Sequence, residues 1–129
     1  MMAEVAWPKV WQRYKKHRKA TRRDWDSGKA LKWSEDNEGA SQYHPYLFGT
    51  DEAVRQIEFQ CVENGTEIHA SPNKRTYYLE TEQIVGACCG ELTRYVFAEW
   101  HRSGGAIHGR PISITALRKL GVNDEQDNS

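Results

Sequence analysis

Fourteen aromatic side chains, five of them tryptophan, have to build the core of a chain whose mean hydropathy is only −0.84. Such groups bury much area each, so 129 residues suffice for one ordered domain and leave too little for two. Globally disordered chains lack them, which excludes that class. Nowhere does an apolar run reach the roughly 18 residues of a membrane-spanning helix. The first residues, MMAEVAWPKVW, hold no apolar signal segment, so the chain reads as cytoplasmic.

Charge is the second constraint. Lysine and arginine total 18, aspartate and glutamate 18, and a zero sum excludes a protein that coats polyanions through bulk positive charge. The distribution says more. Residues 1–23 hold eight cations and one acid, net +7, leaving ten cations and seventeen acids, net −7, on the remainder. On a helical wheel Val10, Trp11, Tyr14, Thr21 and Trp25 share one arc and most of the cations take the other side. This predicts a basic amphipathic helix over residues 8–24, with Pro8 in its first turn. Lys9, Trp11, Lys15, Lys16, Lys19, Arg22 and Arg23 are its candidate binding residues, a cationic stripe with aromatics suited to a phosphate backbone or to unpaired bases. An acidic protein would fit the same face, and so would the acids of the domain itself.

Residues 24–49 show no sustained period, yet Trp25, Trp33, Tyr43, Tyr46, Leu47 and Phe48 are too bulky for a free linker. They predict an ordered loop wrapped on the domain, with short helical or extended pieces around Ala30–Trp33 and Tyr46–Phe48. Thr50, with Asp51 and Glu52 after it, reads as a helix start, and Gly65 as that helix's end. TEIHA and RTYYLE on either side of SPNK predict a β-hairpin over about 66–80, whose tip presents Lys74 and Arg75 as further cations. Ile84, Val85, Cys88, Cys89, Leu92, Tyr95, Val96 and Trp100 recur at helical spacing and predict a long central helix over about 82–102. Gly86 and Gly90 inside it each cost about 1 kcal/mol, which close packing of another element would offset. Ser113, between Ile112 and Leu117, predicts a last helix ending at Gly121. The expected fold is therefore a helix-rich α+β domain over residues 25–121, its hairpin packed on the long helix, preceded by the basic helix of 1–24 and followed by a disordered tail at 122–129.

Signatures of chemistry are sparse. Cys61, Cys88 and Cys89 are odd in number and read as reduced thiols. With neither C-x2-C nor H-x3-H spacing, no metal and no cofactor are expected. Phosphate loops, nucleophile elbows and nucleotide fingerprints are absent from the sequence. On the long-helix reading Glu99 falls within the apolar arc and needs a cation. One outcome is a structural ion pair that fixes the loop 103–111. The other is an acid–base site of Glu99 with His101 or His108, where Arg110 stabilises an anion.

Three functional expectations follow. The first is a small binding protein that docks on nucleic acid or a nucleoprotein complex through the basic helix, a size and simplicity that also suit a phage or mobile-element accessory protein. The second is a protein-binding inhibitor or adaptor that acts through the aromatic and acidic surface, as a homodimer in one version. The third is a metal-independent ribonuclease built on Glu99, His101, His108 and Arg110.

Overall fold

A computed structural model describes residues 7–122. In chain order these form β1 (Val10–Trp11), α1 (Arg22–Asp26), α2 (Lys29–Trp33), β2 (Gln42–Tyr43), α3 (Asp51–Asn64), β3 (Thr66–Ala70), β4 (Lys74–Glu80), β5 (Gly86–Cys88), β6 (Glu91–Thr93), β7 (Tyr95–His101), β8 (Ala106–Ile112) and α4 (Ile114–Lys119). Short 3-10 turns lie at Lys15–Arg18 and Glu38–Ala40. The fold is a mixed α/β domain with, among the described residues, eight strands in two sheets and α3 as the only helix of more than two turns.

The main sheet has the order β1-β8-β7-β4-β3, antiparallel except for the parallel β1–β8 pair, and a smaller antiparallel sheet has the order β2-β5-β6. Thr50 starts α3 by accepting the Ala53 N–H on its hydroxyl at 3.1 Å. The helix lies across β4, β7 and β8, where Cys61 and Val62 pack with Tyr77, Val96, Ala98, Trp100 and Ile107. On the opposite face, Ala116 and Leu117 of α4 cover Phe97 and Ile112. Ser113 caps α4 through the Ala116 N–H at 3.1 Å. Six residues long, α4 shields only the Tyr95–Phe97 end of β7. The Glu99–His101 end of that face is left to the N-terminal segment and to solvent. The hairpin β3–β4 closes through Ser71 N–H to Lys74 carbonyl at 2.8 Å, and β3, the sheet's outer strand, carries a bulge between Glu67 and His69.

Two expectations are corrected. Residues 82–102 are three strands, not a helix, so the domain is not helix-rich and the hairpin packs under α3 and beside β7. The apolar spacing fits 3.6 as well as 2. What decides between them is the β-branched and aromatic content of YVFAEW, whose alternate residues Val96, Ala98 and Trp100 are buried under α3. Gly90 is no packing glycine of a helix. With Cys89 at φ 54° and Gly90 at φ 78°, the two form the left-handed pair that joins β5 to β6 in a two-residue hairpin turn.

Residues 8–24 are likewise not one helix. Val10 and Trp11 pair with Ala106 and Ile107 of β8, so the segment is built into the main sheet. The Trp100 indole donates to the Pro8 carbonyl at 2.8 Å, and a capping box between Thr21 and Asp24 starts the short α1. Sheet pairing and indole packing override helix propensity here. The stretch 24–49, expected as an ordered loop with short pieces of structure, holds most of α1, then α2, where a piece around Ala30–Trp33 is expected, and β2. Of the expected tail 122–129, all but Val122 lies outside the described residues, as do residues 1–6.

Beneath β8, Glu58 of α3 is 3 % exposed. Its carboxylate accepts from Trp11 Nε1 at 2.8 Å and Tyr43 Oη at 2.7 Å, and also from the Gly109 backbone N–H. The approach requires glycine at 109, since a Cβ there would lie 2.3 Å from the Phe97 carbonyl oxygen and 3.2 Å from Glu58 Cγ. Burial outweighs the three hydrogen bonds and pushes the carboxyl up to about 7.

A carboxyl raised in this way favours folding when protonated. Its contribution is complete below about 4.5 and is lost as pH rises towards about 7. His17, buried against the Ser41 carbonyl at 2.9 Å, is held down to about 4, first by burial. Its contribution is complete above about 6.5 and is lost as pH falls towards 4, so the two slopes oppose each other between about 4.5 and 6.5. Replacing Glu58 by Gln removes only the first. Going from about pH 5 to about pH 8, urea unfolding should show Glu58→Gln gaining about 2.5 kcal/mol relative to wild type. A pH-independent difference would contradict the raised carboxyl.

Candidate active site

Alternation along β7 puts Phe97, Glu99 and His101 on the face away from α3. Strand register then sets His108 opposite Glu99, and Arg110 opposite Phe97. From the other neighbour, Thr76 stands opposite Glu99 and Lys74 opposite His101. Four residues named from sequence as a weak catalytic set thus share one sheet face, positioned by three strands whose backbones are locked together.

The chemistry concentrates at three atoms. Glu99 Oε1 lies 3.3 Å from His101 Nε2 and 3.4 Å from His108 Nε2, and the two imidazole nitrogens are 3.2 Å apart. The second carboxylate oxygen, Oε2, faces Lys74 Nζ at 3.7 Å. Both rings are held. His108 is stacked on the Tyr14 ring at 4.3 Å and lies nearly parallel to His101, with centroids 5.2 Å apart. Burial lowers the His108 pKa, the Glu99 charge opposes that, and His101, Arg110 and Lys16 reinforce it. The neutral imidazole is therefore favoured at His108. His101, with a side chain 35 % exposed against 10 % for His108, is the member open to solvent.

Shallow clefts flank the three atoms. One, of about 460 Å³, is lined by Asn73, His101, Arg102 and Ser103; the other, of about 400 Å³, by Arg13, Tyr14, Lys15 and Lys16. A third, of about 520 Å³, continues past Lys16 to Lys19 and Trp33. The rim is cationic on both sides, and an extended anionic chain laid across it would pass over His101 and Tyr14.

The residues expected to bind divide by location. Lys15 and Lys16 are exposed beside Tyr14, Lys19 is exposed next to them, and Lys74 touches Glu99. Arg22 lies over the Tyr46 ring at 4.7 Å, and Arg23 is exposed on α1. Lys9 and Arg75 are elsewhere: Lys9 pairs with Glu63 at 3.4 Å, and Arg75 covers the Trp7 ring at 4.2 Å. Trp11 is half-buried, with its indole N–H committed to Glu58. The intervening Arg13 and Arg18 both pair with Asp51, so part of the basic excess is consumed within the domain.

Arg110 differs from its expected role. Its Nη2 donates to Glu38 Oε1 at 2.9 Å and its guanidinium covers Phe97 at 4.6 Å. It acts on the site through its field, felt at His108 and His17, and not through contact with Glu99. Glu99 meets the charge of Lys74 and the ring nitrogens of the two histidines, so the ion pair expected to fix the loop 103–111 is replaced by contacts across three strands. Glu38, His17 and the stacking of Tyr14 on His108 were not legible in sequence. The Glu99–x–His101 spacing was legible, had it been read at period 2 instead of 3.6.

Two imidazole nitrogens and a carboxylate oxygen are also donors of the kind that hold a transition-metal ion. Local spacing of the C-x2-C type misses such a set because it is assembled across strands. The chain matches no family model, no curated protein and no solved structure.

The charges around His108 give a direct check on this geometry. Glu99→Gln should lower the His108 pKa further, and Lys16→Ala should raise it, in an NMR titration of the imidazole resonances. A His108 titration indifferent to both would place these groups further apart.

Proposed function

We propose that the chain cleaves RNA by acid–base transesterification on the open face of the main sheet. The convergence of Glu99 with His101 and His108, inside a cation-rimmed groove, carries this reading. RNA supplies its own nucleophile, so the protein has only to move two protons and to hold the phosphate. Glu99 takes the 2′-hydroxyl proton, O2′ attacks phosphorus, and the P–O5′ bond breaks. His101, the ring open to solvent, serves as the general acid and gives a proton to O5′. The products are a 2′,3′-cyclic phosphate and a 5′-hydroxyl.

His108 is the positioning residue. Neutral and stacked on Tyr14, it fixes the carboxylate and the partner ring from below. Lys74 stands 3.7 Å from Glu99 Oε2, placed to meet the developing negative charge, and Lys16, 5.6 Å from the Tyr14 ring centroid, adds positive potential beside the site. Arg110 adds positive potential from behind. The remaining exposed cations, Lys15, Lys19 and Arg102, dock the neighbouring phosphates; nucleic-acid docking thus belongs to the sheet rim and not to a basic helix. Three free cysteines support a reducing compartment, in keeping with a cytoplasmic site of action.

Purified protein should cut a mixed-sequence RNA, leave the all-DNA counterpart intact, and remain active in a chelator. Glu99→Gln and His101→Ala should each lower kcat by about 10²- to 10⁴-fold. Lys16→Ala should mainly raise KM, with a shallower salt dependence. Mass spectrometry of the fragments should find cyclic phosphate ends. Absence of RNA cleavage, equal cleavage of DNA, or full activity in Glu99→Gln would overturn the reading.

A further inference from the structure

The same three atoms have a second property that comes from their spacing alone. Their mutual distances are 3.2, 3.3 and 3.4 Å, close to an equilateral triangle. Zinc bonded at about 2.0–2.1 Å to nitrogen and oxygen in a tetrahedron places its ligands about 3.3–3.4 Å apart. The ligands of an octahedral ion with bonds of that length would approach to about 2.9 Å. The triangle therefore fits one face of a zinc tetrahedron without rearrangement of the backbone.

We propose that Glu99 Oε1, His101 Nε2 and His108 Nε2 form a three-ligand site for a zinc-class divalent ion. The donor set of two imidazoles and one carboxylate oxygen suits such an ion, whose fourth ligand would be a water, and His101 lines the adjoining cleft. Cross-strand register fixes the positions, since Glu99 and His108 are paired residues and His101 follows on the same face. Contact with Lys74 occupies Oε2 and leaves Oε1 as the single carboxylate ligand. Stacking on Tyr14 orients the buried ring of His108 before any metal arrives.

A consequence for activity rests on the cleavage reading above. Metal binding takes the lone pair of Glu99 that accepts the 2′-hydroxyl proton, together with the His101 nitrogen that delivers one. Zinc and acid–base cleavage then exclude each other, and zinc is an inhibitor displaced by a chelator.

The test has two independent readouts on the full chain. Calorimetry with zinc chloride on chelator-treated protein should give one site of micromolar affinity or tighter. Cobalt(II) should produce the intense visible d–d absorption of a four-coordinate complex. Glu99→Gln and His101→Ala, each checked for fold by circular dichroism, should weaken zinc by at least about 100-fold, as loss of a ligand requires. No binding by wild type, or binding unchanged in both variants, would overturn the site. RNA cleavage separates the two proposals. Zinc bound with cleavage abolished supports both, whereas zinc bound with cleavage dependent on zinc supports the site and overturns its inhibitory role. Cleavage without zinc binding overturns the site and leaves the acid–base reading standing.

Discussion

One buried carboxylate organises this domain. Glu58 leaves α3 to meet the Trp11 indole, the Tyr43 hydroxyl and the Gly109 amide, groups drawn from β1, β2 and β8. A lone buried charge costs several kcal/mol, so it is tolerated only with all its partners in place. That all-or-none requirement fixes four elements relative to one another. Gly109 serves both neighbours, since a Cβ there would strike the Phe97 carbonyl oxygen of β7 and crowd Glu58 Cγ. The residues on either side of that glycine are His108 and Arg110, so a contact on the covered face sets the position of side chains on the open one.

The main sheet is divided between two tasks. Its α3 face is filled by Val96, Ala98, Trp100 and Ile107, while the other is covered by α4 and Cys88 at one end and by Tyr14 over His108 at the other. Beyond Phe97 the strand residues facing outwards become Glu99 and His101. Because β7 pairs along its length with both β4 and β8, these polar groups rest on a rigid base. Rigidity of this kind is what proton transfer and metal ligation both demand, since each needs atoms held to within fractions of an ångström.

Legibility in sequence followed locality. Helix α3, its Thr50 cap and Gly65 stop, the 66–80 hairpin and the Ser113-capped helix depend on neighbouring residues and could be read directly. The misread segments depend on distant partners. Val10 and Trp11 become a strand because β8 lies beside them, β7 is held between β4 and β8 under α3, and β5 pairs with the distant β2. The helical wheel that singles out Glu99 does not exist, and His101, His108 and Arg110 enter the set only as its neighbours in sequence. They share a face because strand alternation and hairpin pairing, not helical periodicity, bring them together. The loss of Arg110 to Glu38, 72 residues away in sequence, had no local signal.

The bulge between Glu67 and His69 has a consequence for how copies of this protein meet. β3 is an outer strand of the main sheet, with one backbone edge paired only to β4. An uninterrupted edge would be a template on which another chain could add strand after strand. Here the register shift breaks the ladder within five residues, and exposed Glu67 and His69 flank the break. Any incoming strand would lose its hydrogen-bond register there and confront polar side chains. The outer edge is therefore poorly suited to edge-to-edge growth, and a crowded solution of this protein is protected from fibrillar stacking on that side.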